Sequence, residues 1–336
     1  MKLKLGYKAS AEQFGPQELL DLAVMAEEKG FDSVWVSDHY QPFRHTDGHA
    51  PFSLSWLGAA TQRTSRVTLG TSVLTPTFRY HPSIVAQAFA TLDRLAPGRV
   101  ILGVGTGESM NEVPVTGMEW PEFKIRFGRL RESVELMRRL WKEDFVTFDG
   151  EYFQTRDVTL YDKPGGGAVP IYVGASGEVA ARFAGRVADG FICTSGKGME
   201  LYSEKLLPAV REGAEKAGRD YEAIVKTIEM KVSYDHDRSR AMEDTKLWAP
   251  LALPAEDKAG VEDPRELEKR AKAIEDQAHR RWLVADDPEE HLEQLRPYLE
   301  LGFGELIFHS PTDQQDRFLQ LYGEEILPRL RERWGK

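Results

Sequence analysis

The segment 99-RVILGVGTGESMNE-112 begins as an apolar, β-branched run and continues into glycines at alternate positions, followed by Glu108. A dinucleotide-binding loop would have a third glycine at position 108, where backbone N–H groups and a helix N-terminus meet a pyrophosphate. The second glycine-rich segment, 190-GFICTSGKG-198, also departs from a phosphate-binding loop, because five residues separate Gly190 from Gly196. Neither glycine-rich turn therefore matches a phosphate-binding loop, and the presence of the glycines needs another structural explanation.

The pattern of apolar residues supplies that explanation. Short apolar runs alternate with amphipathic segments along almost the whole chain, as expected of repeated strand–helix units. The runs predicted to be strands are Leu3–Tyr7, Ser33–Ser37, Val67–Val73, Arg99–Val104, Pro170–Gly174, Gly190–Cys193, Val225–Ser233 and Glu305–His309. Helical periodicity between them is clearest at 17–30, 82–95 and 124–141.

Eight strand–helix units predict an α/β protein with one (β/α)₈ barrel domain over residues 1–336. Such a barrel commonly takes about 250 residues, so the surplus predicts insertions. They are expected at 39–52, 142–169 and 246–265, which are rich in proline, glycine or acidic residues. An open, doubly wound sheet remains the alternative, because periodicity does not show whether a sheet closes.

Composition restricts the class of protein. With 41% hydrophobic and 29% charged residues, the chain is expected to be soluble and globular. A net charge of −10 argues against a general nucleic-acid or acidic-membrane surface. No apolar run approaches the roughly 20 residues of a membrane span, and the start lacks a signal peptide, so a cytoplasmic protein is expected. The lone Cys193 cannot form an internal disulfide, and the histidine spacing predicts no metal site.

Polar residues collect where the predicted strands end. In a barrel of this type the active site lies at the C-terminal ends of the strands. Asp38 and His39 follow the second strand, Glu108 follows the fourth, and 71-TSVLTPTFRY-80 and 192-ICTSGKG-198 close the third and sixth. Each residue alone has a plain structural explanation as a turn cap, a rim histidine or a solvated charge. Together they predict an active site at this face.

Several long blocks of sequence resemble one known family. They are LGYKASAEQF, VSDHYQP, HAPFSLSW, GTSVLTPTFRY, LGVGTGE, DGFICTSGKG, LPAVREGA and WAPL. The chain resembles the luciferase-like flavin and deazaflavin barrel enzymes, and among them the coenzyme F420-dependent glucose-6-phosphate dehydrogenases of actinobacteria. The resemblance implies hydride transfer from C1 of glucose 6-phosphate, or of a closely related hexose 6-phosphate, to C5 of coenzyme F420, an 8-hydroxy-5-deazaflavin. The product would be the 6-phosphogluconolactone, and the enzyme would be a homodimer.

The same resemblance implies three groups of site residues. The coenzyme-binding positions are Asp38, Thr75, Thr106, Gly107, Asn111, Ser176, Gly177 and Val179. A cis, non-prolyl peptide behind the coenzyme ring matches Ser72 and Val73. The residues that would hold the substrate phosphate are Thr194, Lys197, Lys258 and Arg281. His39 and Glu108 would be the proton-transfer pair.

The implied reaction explains these residue types. As hydride leaves C1 the sugar hydroxyl must lose a proton, and the reduced deazaflavin must gain one, so two acid–base groups are useful. His39 titrates near neutral pH, and Glu108 could serve as the other group if burial raised its pKa. The two roles could also be reversed. Lys197, Lys258 and Arg281 are cationic donors suited to a phosphate dianion.

Two positions depart from the family. The family usually has a tryptophan beside the substrate at the position where this sequence has Phe43. It often has a glycine at the position where this sequence has Ser176. Phe43 keeps an aromatic face but has no indole N–H donor, so the sugar preference is open.

Two other functions remain open from the sequence. One is an FMN-dependent monooxygenase on the same fold, and the other is a catalytically silent protein that binds a deazaflavin or a sugar phosphate. The presence of both His39 and Glu108 argues against a silent protein. The cations at 197, 258 and 281 argue against an apolar monooxygenase substrate.

Overall fold

The computed structural model describes residues 2–335. Its strands are β1 Lys4–Ala9, β2 Ser33–Val36, β3 Thr68–Thr71, β4 Val100–Val104, β5 Val146–Asp149, β6 Gln154–Val158, β7 Ile171–Gly174, β8 Gly190–Thr194, β9 Val225–Tyr234, β10 Leu283–Ala285 and β11 Glu305–His309. Its α-helices are α1 Pro16–Glu28, α2 Ser53–Arg63, α3 Pro82–Leu95, α4 Ser109–Thr116, α5 Phe123–Lys142, α6 Glu178–Val187, α7 Leu207–Lys216, α8 Arg238–Asp244, α9 Ala249–Ala252, α10 Ala255–Lys258, α11 Pro264–Lys272, α12 Pro288–Glu300, α13 Gln315–Leu321 and α14 Leu327–Trp334. No helix in this part of the chain is both long enough and apolar enough to cross a membrane.

Eight parallel strands close into a barrel. Their order is β1, β2, β3, β4, β7, β8, β9 and β11, and β11 pairs back onto β1. Closure confirms the predicted barrel and excludes the open sheet. β10 pairs with the last residues of β9, and β5 and β6 form an antiparallel hairpin within the predicted insertion 142–169.

The predicted elements agree closely with the structure. All eight predicted strands are present, with ends that differ by no more than two residues. The third stops at Thr71, and the next peptide bond, between Ser72 and Val73, is cis. The helices predicted at 17–30, 82–95 and 124–141 correspond to α1, α3 and α5. Two of them begin with proline at the first turn, where its missing N–H costs no intrahelical hydrogen bond.

Large side chains fill the lower part of the barrel. Trp35 and Tyr172 pack with ring centroids 5.8 Å apart, and both are buried. Gly70 on the neighbouring strand is required there, because a Cβ at that position would lie 2.5 Å from the Trp35 ring. Trp35 Nε1 donates to Oγ of Ser33 at 3.0 Å and to Oε1 of the buried Glu305 at 3.1 Å. The lower barrel is therefore solid, and the open space lies at the C-terminal ends of the strands.

Candidate active site

A cavity of about 630 Å³ lies at the C-terminal ends of the barrel strands. Almost all the predicted site residues line it: Asp38, His39, Phe43, Ser72, Val73, Thr75, Thr106, Gly107, Glu108, Asn111, Ser176, Thr194, Lys197, Lys258 and Arg281. Gly177 and Val179 do not line it. They lie at the N-terminus of α6, and Val179 is 47% exposed. Fifteen of the predicted site residues thus share one cavity, and the other two follow the C-terminal end of β7 outside the cavity lining.

The glycines of the opening segment serve close backbone packing. A Cβ at position 103 would lie 1.9 Å from the carbonyl oxygen of Thr71, and one at position 105 would lie 2.7 Å from Cγ2 of Val73. Gly107 has φ +86°, a left-handed conformation that favours glycine. Gly103 and Gly105 therefore let β4 approach the segment that carries Val73. These two glycines thus serve contacts within the protein, between β4 and the segment 71–73.

His39 lies between two carboxylates. Its Nδ1 is 2.6 Å from Oε1 of Glu12, and its Nε2 is 3.9 Å from Oε2 of Glu108. Ser37 Oγ donates to the other oxygen of Glu12 at 3.0 Å, which helps to hold that carboxylate beside Nδ1 of His39. Glu12 is buried, whereas the Glu108 side chain is 55% exposed. Glu108 is therefore not buried, and the buried carboxylate that contacts His39 is Glu12.

The pair formed by Glu12 and His39 favours the charged forms of both groups. Burial acts to raise the pKa of Glu12, but the charges of His39 and Lys8 and the His39 contact outweigh it and lower the pKa to about 2. Burial acts to lower the pKa of His39, but the Glu12 carboxylate beside it, with a smaller contribution from Glu108, raises that pKa above its usual value. His39 is therefore a stronger base than a free imidazole.

Asp38 and Asn111 hold the loop that carries His39. Both oxygens of Asp38 accept hydrogen bonds: Oδ1 from Ser53 and Tyr80 at 2.6 and 3.0 Å, and Oδ2 from Arg79 at 2.9 Å. Asn111 Oδ1 accepts from the next two backbone N–H groups of the loop, residues 40 and 41, at 2.8 and 3.0 Å. Its Nδ2 donates to Oε2 of Glu108 at 3.4 Å. Asn111 thus ties the second strand end to the fourth.

Three cations, Lys197, Lys258 and Arg281, also line the cavity. The charge of Arg281, then burial, lowers the pKa of Lys197; burial, then the charges of Arg281 and Lys197, lowers the pKa of Lys258. Burial also lowers the pKa of Arg281, and its Nε is buried without a hydrogen-bond partner. Within residues 2–335, none of the three forms an ion pair with a carboxylate. An uncompensated group of cations is a site for an anion.

The sequence reasoning missed a group of buried charges on the cavity floor. Lys8 Nζ lies 3.1 Å from Oε2 of Glu229, and Lys231 Nζ lies 3.0 Å from Oε1 of the same carboxylate. Burial acts to raise the pKa of Glu229, but the two lysine charges outweigh it and hold that pKa well below its usual range. Nδ1 of the buried His309 is 3.5 Å from the same Oε1. The sequence did contain an indication of this buried group, because Glu229 and Lys231 are charged residues at alternate positions within the apolar run that forms β9.

The fold and this constellation define a class of protein. Residues 3–305 match the model of a family described as luciferase-like monooxygenase. The chain therefore belongs to the luciferase-like family of barrel enzymes.

Comparison with individual proteins narrows the family further. The chain is 62% identical over 330 residues to the F420-dependent glucose-6-phosphate dehydrogenase of Nakamurella multipartita, covering 98% of this chain and 97% of that protein. It is 60% identical over 333 residues to the protein of the same name from Rhodococcus erythropolis, covering 98% of each. Within the luciferase-like proteins, the chain belongs to the family of F420-dependent glucose-6-phosphate dehydrogenases.

Solved structures give the same fold. An F420-dependent secondary alcohol dehydrogenase in complex with an F420–acetone adduct matches with a TM-score of 0.91 at 36% identity, over 97% of this chain and 98% of that chain. The F420-dependent tetrahydromethanopterin reductase from Methanopyrus kandleri matches with a TM-score of 0.83 at 22% identity, over 98% of this chain and 99% of that chain. The second likeness concerns the fold alone.

Proposed function

We propose that this chain oxidises glucose 6-phosphate at C1, with coenzyme F420 as the hydride acceptor, and releases 6-phosphogluconolactone. One observation carries the proposal beyond the family: a single cavity is lined by a histidine whose pKa is raised and by an uncompensated group of three cations. A hexose 6-phosphate matches both groups, because its phosphate is an anion and its C1 hydroxyl must lose a proton on oxidation.

The cavity suits a flat coenzyme. Val73 lines the cavity and is packed from behind, since a Cβ at position 105 or at Gly174 would lie 2.7 or 3.2 Å from its methyl groups. When it is bound, coenzyme F420 supplies the ring carbon that accepts the hydride. We propose that Val73 supports the ring and that the other coenzyme-binding residues are Asp38, Ser72, Thr75, Thr106, Gly107, Asn111, Ser176, Gly177 and Val179. The N-terminal N–H groups of α6, beside the last three, suit an anionic extension of the coenzyme.

His39 is proposed to accept the proton of the C1 hydroxyl. The Glu12 carboxylate stabilises the imidazolium that forms, in the way a carboxylate orients and supports a catalytic histidine. Glu108, 3.9 Å from the ring and exposed to the cavity mouth, would exchange the second proton. The phosphate would be held by Thr194, Lys197, Lys258 and Arg281.

Phe43 faces the proposed reaction centre. Its ring packs edge-on against His39, with centroids 5.1 Å apart, and lies 6.3 Å from Trp248. The position therefore adjoins both the proton acceptor and the cavity wall, although phenylalanine offers no donor to a sugar hydroxyl.

Anaerobic incubation of the protein with oxidised F420 and glucose 6-phosphate tests the proposal. The visible absorbance of the coenzyme should fall in proportion to the lactone formed, with a panel of other sugar phosphates as comparison. An FMN-dependent monooxygenase would instead consume oxygen with reduced FMN, and a silent protein would bind F420 without any loss of absorbance. Either result would contradict the proposal.

The resemblance also implies a homodimer working in the cytoplasm. Sedimentation equilibrium tests the first point, since a dimer has twice the 38.0 kDa mass of the chain. Cell fractionation tests the second.

A further inference from the structure

Two buried lysines share the Glu229 carboxylate but differ in their other contacts. Lys8 Nζ donates to the carbonyl oxygen and to Oγ of Ser72, at 2.9 and 2.6 Å, in addition to its ion pair with Glu229. An ammonium has three N–H donors, so Lys8 is fully satisfied within the protein. Among residues 2–335, Lys231 Nζ has the single oxygen partner Oε1 of Glu229, at 3.0 Å.

The remaining donors of Lys231 face the cavity. The residue is 5% exposed and its side chain lines the cavity, while its backbone N–H donates to Oγ of Ser195 at 2.8 Å. Nζ also lies over the Trp282 ring, 6.0 Å from its centroid, which is the outer limit of a cation–π contact and uses none of the N–H donors in a hydrogen bond to oxygen. A buried ammonium with unused donors is costly, so these donors are available to an acceptor that enters the cavity.

The position of Lys231 identifies that acceptor. Ser195 belongs to the loop between Thr194 and Lys197, so the backbone of Lys231 is fixed directly against the proposed phosphate-binding loop. The charge of Lys231 also acts on both Lys197 and Lys258, which places its ammonium within electrostatic reach of both. The nearest anion expected in the cavity is therefore the substrate phosphate.

We propose that Lys231 is a fourth cation of the phosphate site, that it donates to a phosphate oxygen of the sugar substrate, and that Glu229 is the positioning residue that holds it there. The inference rests on the proposed function for the identity of the substrate. Glu229 compensates one of the two lysine charges, and all donors of Lys8 are used by protein oxygens. The charge of Lys231 is therefore uncompensated, and its remaining N–H donors can bind an oxygen of the ligand.

The test compares Lys231→Met with Lys226→Met. Lys226 is a matched control, because it is equally buried on the same strand, does not line the cavity and pairs with the exposed Glu222 at 3.0 Å. Two quantities are measured on the F420-loaded protein: KM for glucose 6-phosphate, and the dissociation constant of inorganic phosphate by calorimetry. A third, the dissociation constant of F420, is measured by fluorescence on the protein freed of coenzyme. Lys231→Met should raise the first two by about tenfold or more and leave the third within twofold. Lys226→Met should leave all three within twofold.

Each alternative result has a definite meaning. A phosphate dissociation constant within twofold of wild type would overturn the proposal, even if KM rose, because Lys231 would then contact the sugar or only support the fold. An equal loss of F420 affinity would also overturn it. Should Lys231→Met not fold, Lys231→Gln is expected to weaken phosphate binding by at least about threefold, and an unchanged constant there is equally decisive. Phosphate binding needs no turnover, so absence of glucose 6-phosphate oxidation by the wild type would contradict the proposed function without deciding the role of Lys231.

Discussion

Removing the ammonium of Lys258 should weaken substrate binding without destabilising the protein. The substitution Lys258→Met keeps most of the side-chain stem and deletes only the charge. In the ligand-free protein, burial and the charges of Arg281 and Lys197 lower the pKa of Lys258, so the charged form is disfavoured in the folded state. That penalty is fully present at pH values below the folded pKa and disappears as pH rises through the unfolded value of 10.5. The variant should therefore melt at the same temperature as the wild type or higher.

The magnitude of the binding effect follows from the type of contact. A charge-assisted hydrogen bond contributes about 1.5–3 kcal/mol, or roughly 10- to 150-fold in KM. Lys258 is only half-buried and also contacts the carbonyl oxygen of Leu251 at 3.4 Å, so the lower end, about tenfold, is expected. Only a phosphorylated sugar can lose this contact, and KM for unphosphorylated glucose should be unchanged.

The assay measures KM for glucose 6-phosphate and for glucose, together with the melting temperature in phosphate-free buffer. Lys246→Met is the matched control, because Lys246 pairs with Glu243 and Asp276 at 2.9 and 3.0 Å and does not line the cavity. It should leave both KM values unchanged. Equal effects of Lys258→Met on the two sugars, or a lower melting temperature with unchanged KM, would refute the assignment of Lys258 to the phosphate.

Three further predictions concern the reaction centre. His39→Ala and Glu108→Gln should each lower kcat by roughly 100-fold or more while F420 binding, measured by fluorescence titration, is retained; near-normal kcat in His39→Ala would remove its proton-transfer role. Because Glu12 raises the pKa of His39, Glu12→Gln should move the His39 limb of the pH–kcat/KM profile to lower pH, whichever way the proton travels, and an unmoved limb would assign it to another group. Phe43→Trp should sharpen the preference for glucose 6-phosphate over mannose and fructose 6-phosphates by around tenfold, since one neutral hydrogen bond is worth about 0.5–1.5 kcal/mol. Unchanged ratios would show that this position does not set sugar choice.

The clustering of the candidate site residues could be predicted because they lie close to strand ends. Asp38 and His39 come two and three residues after β2, and Glu108 comes four residues after β4, so the general position of active sites in such barrels was enough to bring them together. Lys258 could not be found in this way. It ends the short helix α10 in an acidic loop, where composition alone favours a solvated charge, and only the resemblance to the family indicated its role.

The sequence by itself determined the eight alternating strand–helix units, because strand and helix periodicities are local patterns. Closure into a barrel was decided by the tertiary structure, in which β11 pairs with β1. The glycines in and after β4 were visible in the sequence, but their role in close backbone packing became visible only in the structure. The tertiary structure decided how the charges act. Glu12 meets His39 because the neighbouring strands β1 and β2 end side by side, and Lys8 meets the Glu229–Lys231 pair because β1 and β9, far apart in the chain, both face the cavity. The sequence does not show whether a lysine or glutamate within a strand is solvated or buried. Its partners and its exposure in the folded protein decide whether it can stabilise a charged histidine or bind an anion.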